Sequence, residues 1–145
     1  MNHCLRLLPA LFLVGCAAPQ ASESESLLPG SNVLPFQEIR TALKGTVDFS
    51  RHVKPIFQAK CVVCHDRASQ PRGLHLDSRE TAVRSGSLGV FIVPGNAKQS
   101  LLLAKINSAS AHIKAMPPVG EQVTAEEVAI LQRWITQGAV WPASE

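Results

Sequence analysis

The chain has 145 residues, 46% of them apolar and 17% charged, with a formal net charge of +3. That length accommodates one domain plus accessory segments, and the scattered Lys and Arg residues exclude the basic stripe a nucleic-acid face requires. Aromatics are few and Tyr is lacking, so the four Cys and five His carry the argument, through their positions more than their number.

Residues 1–15 read as an export signal. Arg6 supplies a short basic start, and Leu5 to Val14 form an apolar run interrupted by Arg6 and Pro9. The run is too short to span a bilayer as a helix and ends in Leu13-Val14-Gly15-Cys16. It resembles a bacterial lipoprotein signal, which makes Cys16 the lipidated residue of the processed chain. A diacylglycerol and an amide-linked chain on Cys16 would supply two-signal anchoring. Residues 16–45 then read as the lipidated Cys and a flexible tether. Ser22-Glu23-Ser24-Glu25-Ser26 is polar and of low complexity, and Pro29, Gly30 and Pro35 break any periodicity. Val33 to Leu43 is weakly amphipathic, either packed on the domain or frayed beside it.

The domain is expected over residues 46–142, with 143–145 as a tail. Ser50 can cap a first helix carrying Val53, Ile56 and Phe57 on one side. Pro55 falls close to its start, where a missing amide is tolerated. The helix leads into Cys61-Val62-Val63-Cys64-His65. A loop-rich middle follows, punctuated by Pro71, Gly73, Gly86, Gly89, Pro94 and Gly95, and containing a short apolar helix after Ser100. Met116-Pro117-Pro118 cannot continue a helix. The last helix opens on Thr124 with Glu127, a capping-box pattern, and stops at Gly138. Val128, Leu131, Ile135 and Trp134 give it an apolar face. No segment sustains a two-residue alternation, so the expected class is all-α.

Cys-x-x-Cys-His is the attachment signature of c-type haem. Two thiols add across the porphyrin vinyl groups, and the adjacent His65 offers an imidazole to iron from one face. Export agrees with this, because covalent attachment takes place outside the cytoplasm. The cysteine accounting closes without a disulfide: Cys4 leaves with the signal, Cys16 takes lipid, Cys61 and Cys64 take one haem. A thiol–disulfide site would want a strand before the Cys pair rather than a helix. A zinc site using His75 or His112 has the wrong spacing from Cys64. For the distal position Met116 is the one thioether left once Met1 is removed. A buried Met more often packs in a core, yet Met116 sits on a chain breaker rather than on a periodic face. His112, His75 and His52 are the rival distal ligands.

These residues resemble the planctomycete-type cytochrome c domain. The likeness spans Val47 to Trp141 and rests on four stretches. They are Val47-Asp48-Phe49-Ser50 with Pro55-Ile56-Phe57; Gly73-Leu74-His75-Leu76-Asp77-Ser78-Arg79; Val93-Pro94-Gly95-Asn96 with Ser100-Leu101-Leu102; and Met116-Pro117-Pro118 followed by Glu127 to Trp141. The resemblance implies an all-α haem fold with His65 proximal and Met116 distal. His52, where Asp is expected, and His75, where Arg is common, depart from it.

A domain this small buries a modest share of its surface, so a covalent haem would serve as its core. Phe57, Leu74, Leu76, Ile92, Val93, Leu101, Leu102, Ile106, Ile113, Leu131, Trp134 and Ile135 are expected around it. With His65 and Met116 both bound, iron keeps no open position, which favours an electron carrier over an enzyme. Its partners would be redox donors and acceptors of a respiratory chain or a periplasmic dehydrogenase, with the membrane reached through lipid. The location would be the periplasmic side of the envelope, and Ala17 after Cys16 leans toward the outer membrane. The alternative is a haem enzyme or gas sensor with an open sixth site, peroxidase-like, using His112 or His75.

Overall fold

In the computed structural model, residues 31–69, 73–106 and 116–145 are described. The elements among them are helices and tight turns, with no strand. The all-α expectation therefore holds, and its physical basis is the 3.6-residue spacing of the apolar side chains in the longer helices.

The first helix, α1 (Phe36–Lys44), follows Pro35 and buries Ile39 and Ala42, one turn apart, against the C-terminal helix. Leu34 just ahead of it is also buried. The far end of α1 is closed by Arg133, whose guanidinium donates to the Ala42 carbonyl at 3.2 Å and the Gly45 carbonyl at 2.8 Å. Those carbonyls would otherwise lack intrahelical partners. Residues 31–45, grouped by sequence with a flexible tether, thus lie on the domain. The buried stripe of α1 is only Ile39 and Ala42, too short for periodicity alone to reveal its docking.

The helix leading to the Cys pair begins earlier than expected. Asp48, not Ser50, is its cap: the Asp48 carboxylate accepts the Arg51 amide at 2.8 Å. Ser50 instead donates its hydroxyl to Glu145 at 2.8 Å. A wide turn of π type over Phe49–Val53 then tightens into α2 (Lys54–Lys60), with Pro55 in the first turn. Proline costs little there, because the first amides of a helix have no intrahelical acceptor.

The middle of the chain holds one helix the sequence did not announce, α3 (Arg79–Arg84), capped by the Ser78 hydroxyl. It is followed by a kinked turn, a short 3₁₀ turn at Ala97–Gln99 and α4 (Leu101–Ile106). The last helix, α5 (Ala125–Thr136), forms as expected. Thr124 accepts from the Glu127 amide and the Glu127 carboxylate accepts from the Thr124 amide, a complete capping box. Gly138, at φ 102°, occupies the left-handed position beyond the helix end that disfavours side chains with a Cβ.

The core lies between α1, α2 and α5. Phe49 stacks on Trp141 with ring centroids 4.5 Å apart. Phe57 meets Trp134 edge-on at 5.8 Å. The Trp134 indole donates to the Val140 carbonyl at 2.9 Å, so its one polar atom is satisfied inside the core. Burial of a large side chain such as Phe57 contributes roughly 1.5–3 kcal/mol. Of the residues expected around the cofactor, Phe57, Leu76, Ile92, Leu102, Leu131, Trp134 and Ile135 are buried. Leu74, Val93 and Ile106 are half-buried. Leu101 departs from expectation at 46% exposed. It opens α4, and its neighbour Leu102 takes the inward position. Ile113 lies outside the described residues.

Candidate haem-attachment site

Helix α2 does not stop cleanly at Lys60. The Cys61 amide donates to the Phe57 carbonyl at 2.9 Å, and the Cys61 carbonyl then accepts from both Cys64, at 3.1 Å, and His65, at 2.9 Å. These bonds wind Cys61 to His65 into one further turn, which brings both Cys and the His onto a few ångströms of backbone. The far side of the turn is pinned by the Leu76 amide, which donates to the His65 carbonyl at 2.9 Å.

The two thiols differ. Both are free of disulfide bonding, but Cys61 is buried while Cys64 is exposed. Burial pushes the Cys61 thiol up to about 12. The nearby Glu127 carboxylate adds to that shift, and Lys60 works against it. Cys61 therefore rests as a protonated thiol near neutral pH, and Cys64 is the sulfur that reagents reach first.

His65 is half-buried, and its Nδ1 is buried without a hydrogen-bond partner. Burial lowers its pKa from the ordinary histidine value. The Leu74 backbone acts against that shift, and the nearby His75 adds to it. Native proteins rarely leave a buried ring nitrogen unpaired. A neutral imidazole beside two free thiols is the donor set that a c-type haem requires, so the residues present fit that group.

The distal candidates separate partly. His52 is fully occupied: its Nδ1 accepts the Asp48 amide at 2.9 Å, leaving Nε2 to donate to Glu38 at 3.1 Å. That buried role accounts for a His at this position and removes it as a ligand. His75 is buried, with its amide held by the Ser87 hydroxyl at 2.9 Å and its Nδ1 unpartnered, 3.9 Å from the Asp77 carboxylate. Met116 is half-buried, in a loop whose start is tied to the end of α4 by its amide donating to the Lys105 carbonyl at 3.1 Å. The Met116–Pro117 peptide is cis. His112 and Cys16 lie outside the described residues. Among the described residues no group of three or more His, Cys, Asp and Glu side chains gathers as it would around a bare metal ion.

Comparison with known families bears on the use of this Cys pair. Residues 61–120 match the planctomycete cytochrome c family. That match starts at Cys61 and ends just past Met116-Pro117-Pro118, inside the wider likeness seen from Val47 to Trp141. The chain is also similar to hydrazine synthase subunit alpha of Kuenenia stuttgartiensis, at 28% identity over 141 aligned positions. That alignment covers 77% of this chain and 17% of the relative, so the chain spans about a sixth of that protein's length. No solved structure matches the chain.

Sequence reasoning missed two residues beside the cytochrome c motif, Lys60 and Glu127. They form a fully buried ion pair at 2.7 Å, immediately before Cys61. Glu127 was legible only as half of a capping box, and nothing in the sequence links it to a lysine 67 positions away.

Proposed function

We propose that the protein is a monohaem electron carrier, with one haem c attached through Cys61 and Cys64 and ligated by His65 and Met116. The observation that carries this reading is the turn from Cys61 to His65, where two free thiols adjoin an imidazole whose buried Nδ1 has no protein partner. When bound, the haem supplies a one-electron ferric–ferrous couple.

The chain's own residues would do the rest. Cys61 and Cys64 would hold the group covalently through two thioethers. The Leu76 bond to the His65 carbonyl holds the proximal residue at a set angle. Met116, as a thioether ligand, would favour the reduced metal and so raise the potential relative to a second imidazole. The buried Leu76 and the half-buried Val62 and Leu74 would limit the water that reaches the site.

The same reading extends to location. A lipid on Cys16 would hold the domain at the periplasmic face of the cell envelope. The tether would then be residues 17–30, since residues from Ser31 onward lie on the domain. Those fourteen residues reach roughly 50 Å when fully extended. That limits the redox donors and acceptors to proteins at or near the same membrane. Among the described residues no helix is long and apolar enough to cross a membrane.

A second reading is favoured by one observation, that the curated relative is an enzyme subunit. In that case the sixth position is open to a small ligand and the domain serves a larger reaction. Redox titration of wild type and Met116→Ala, with ferrous carbon monoxide binding, separates the two. An electron carrier with Met116 bound resists carbon monoxide and loses potential in the variant. A wild type that binds carbon monoxide at once supports the open site.

A further inference from the structure

The buried pair beside the haem motif has more partners than a structural ion pair needs. The Lys60 ammonium has three N–H bonds and three acceptors: the Ser31 carbonyl at 3.0 Å, the Gln122 carbonyl at 2.8 Å and the Glu127 carboxylate at 2.7 Å. Glu127 in turn accepts the Val33 amide at 2.7 Å and the Thr124 amide at 2.9 Å. Both side chains are fully buried. The acceptor at Gln122 matters most, because this residue lies on the return path of the Met116 loop. Its own side-chain amide donates to the Pro117 carbonyl at 2.9 Å. A continuous set of bonds therefore runs from the residue before Cys61, through Gln122, to the residue after Met116. The other end of the loop is held separately, by the Met116 amide on the Lys105 carbonyl.

We propose that Lys60, held by Glu127, is a positioning residue for Met116, fixing the distal-ligand loop to the same helix that carries the haem cysteines. The inference rests on Met116 being the distal ligand. A thioether–iron bond is weak, and its occupancy depends on how firmly the loop is held in place before the bond forms. Lys60 gives the loop a fixed reference because it is covalently next to Cys61. Loss of either partner would leave the other charge buried and uncompensated, which holds the pair in place. Gln122 then transmits that reference over a single side chain to the backbone beside the sulfur.

The test uses the haem-loaded protein as wild type, Lys60→Met, Gln122→Ala and Met116→Ala. The readouts are the sulfur-to-iron charge-transfer band, the rate of carbon monoxide binding to the ferrous form and the thermal midpoint. Lys60→Met should speed carbon monoxide binding roughly tenfold to a hundredfold, the scale of one lost buried charged hydrogen bond, and weaken the band. Gln122→Ala removes an exposed side chain and leaves the buried pair intact. It should speed binding by a smaller factor, roughly fivefold, with the thermal midpoint unchanged, which a merely structural role would not produce. If Lys60→Met fails to fold, Gln122→Ala decides alone. Binding rates within twofold of wild type in the folded variants, while Met116→Ala accelerates, overturn the proposal. If Met116→Ala itself matches wild type, the ligand assignment fails, and the brace fails with it.

Discussion

Replacing Glu127 by Gln changes no shape and removes one buried charge, and the structure sets how much that should cost. The carboxylate accepts from Lys60, Val33 and Thr124 at once. A single amide oxygen cannot serve all three, and the new amide NH₂ must point at a donor. Lys60 is left with a buried ammonium and no counter-charge. Breaking a buried pair from one side costs about 3–5 kcal/mol, a large part of the 5–15 kcal/mol typical of a domain. Urea unfolding of the haem-loaded protein at pH 7, followed by far-ultraviolet circular dichroism, measures the loss. Adding Lys60→Met to this variant should cost less than Lys60→Met costs wild type, since the unpaired charge leaves with it. A loss below about 1 kcal/mol for Glu127→Gln would refute the reasoning and mean that water reaches the pair.

Two further predictions concern acid and the anchor. Glu38, held down chiefly by Arg51, Asp66, by the Ser69 amide, and Glu145, by Lys54, all have carboxyls below their ordinary values of 4.5, 3.8 and 4.5. A lowered carboxyl stabilises the fold above its unfolded value, so thermal midpoints should be level down to about pH 4.5 and fall below it. Glu38→Gln should flatten part of that fall, and a midpoint that rises on acidification would contradict it. Cys16→Ser should abolish fatty-acid incorporation and release the protein from membranes, as read by radiolabelling and fractionation. Label that persists in the variant would place the lipid elsewhere.

How far the sequence spoke depended on whether a signal was local. The Thr124–Glu127 box and the stop at Gly138 each sit within a few residues and are found in the structure as read, and the Cys-x-x-Cys-His motif, equally local in sequence, folds into one turn. Asp48 took the cap from Ser50 because the first turn is wide, and side-chain spacing does not reveal a π-type turn. Helix α3 has six residues and too little periodicity to be seen in a loop-rich stretch, although Ser78 is a fair cap signal in retrospect. Docking of residues 31–45 depends on Arg133 and Glu127, both some ninety positions away. Lys60 and Glu127 were hidden for a simpler reason: charged residues belong on surfaces by default, and only the fold shows that these two have each other.

The central claim is that Cys61 and Cys64 carry one haem. Protein expressed in an envelope compartment with a haem-attachment system should gain the mass of a single haem that survives denaturation and acid–acetone extraction. Its pyridine haemochrome should be that of a haem with both vinyl groups saturated. Cys61→Ala with Cys64→Ala should lose that mass. A colourless wild-type product at the mass of the bare chain would contradict the account.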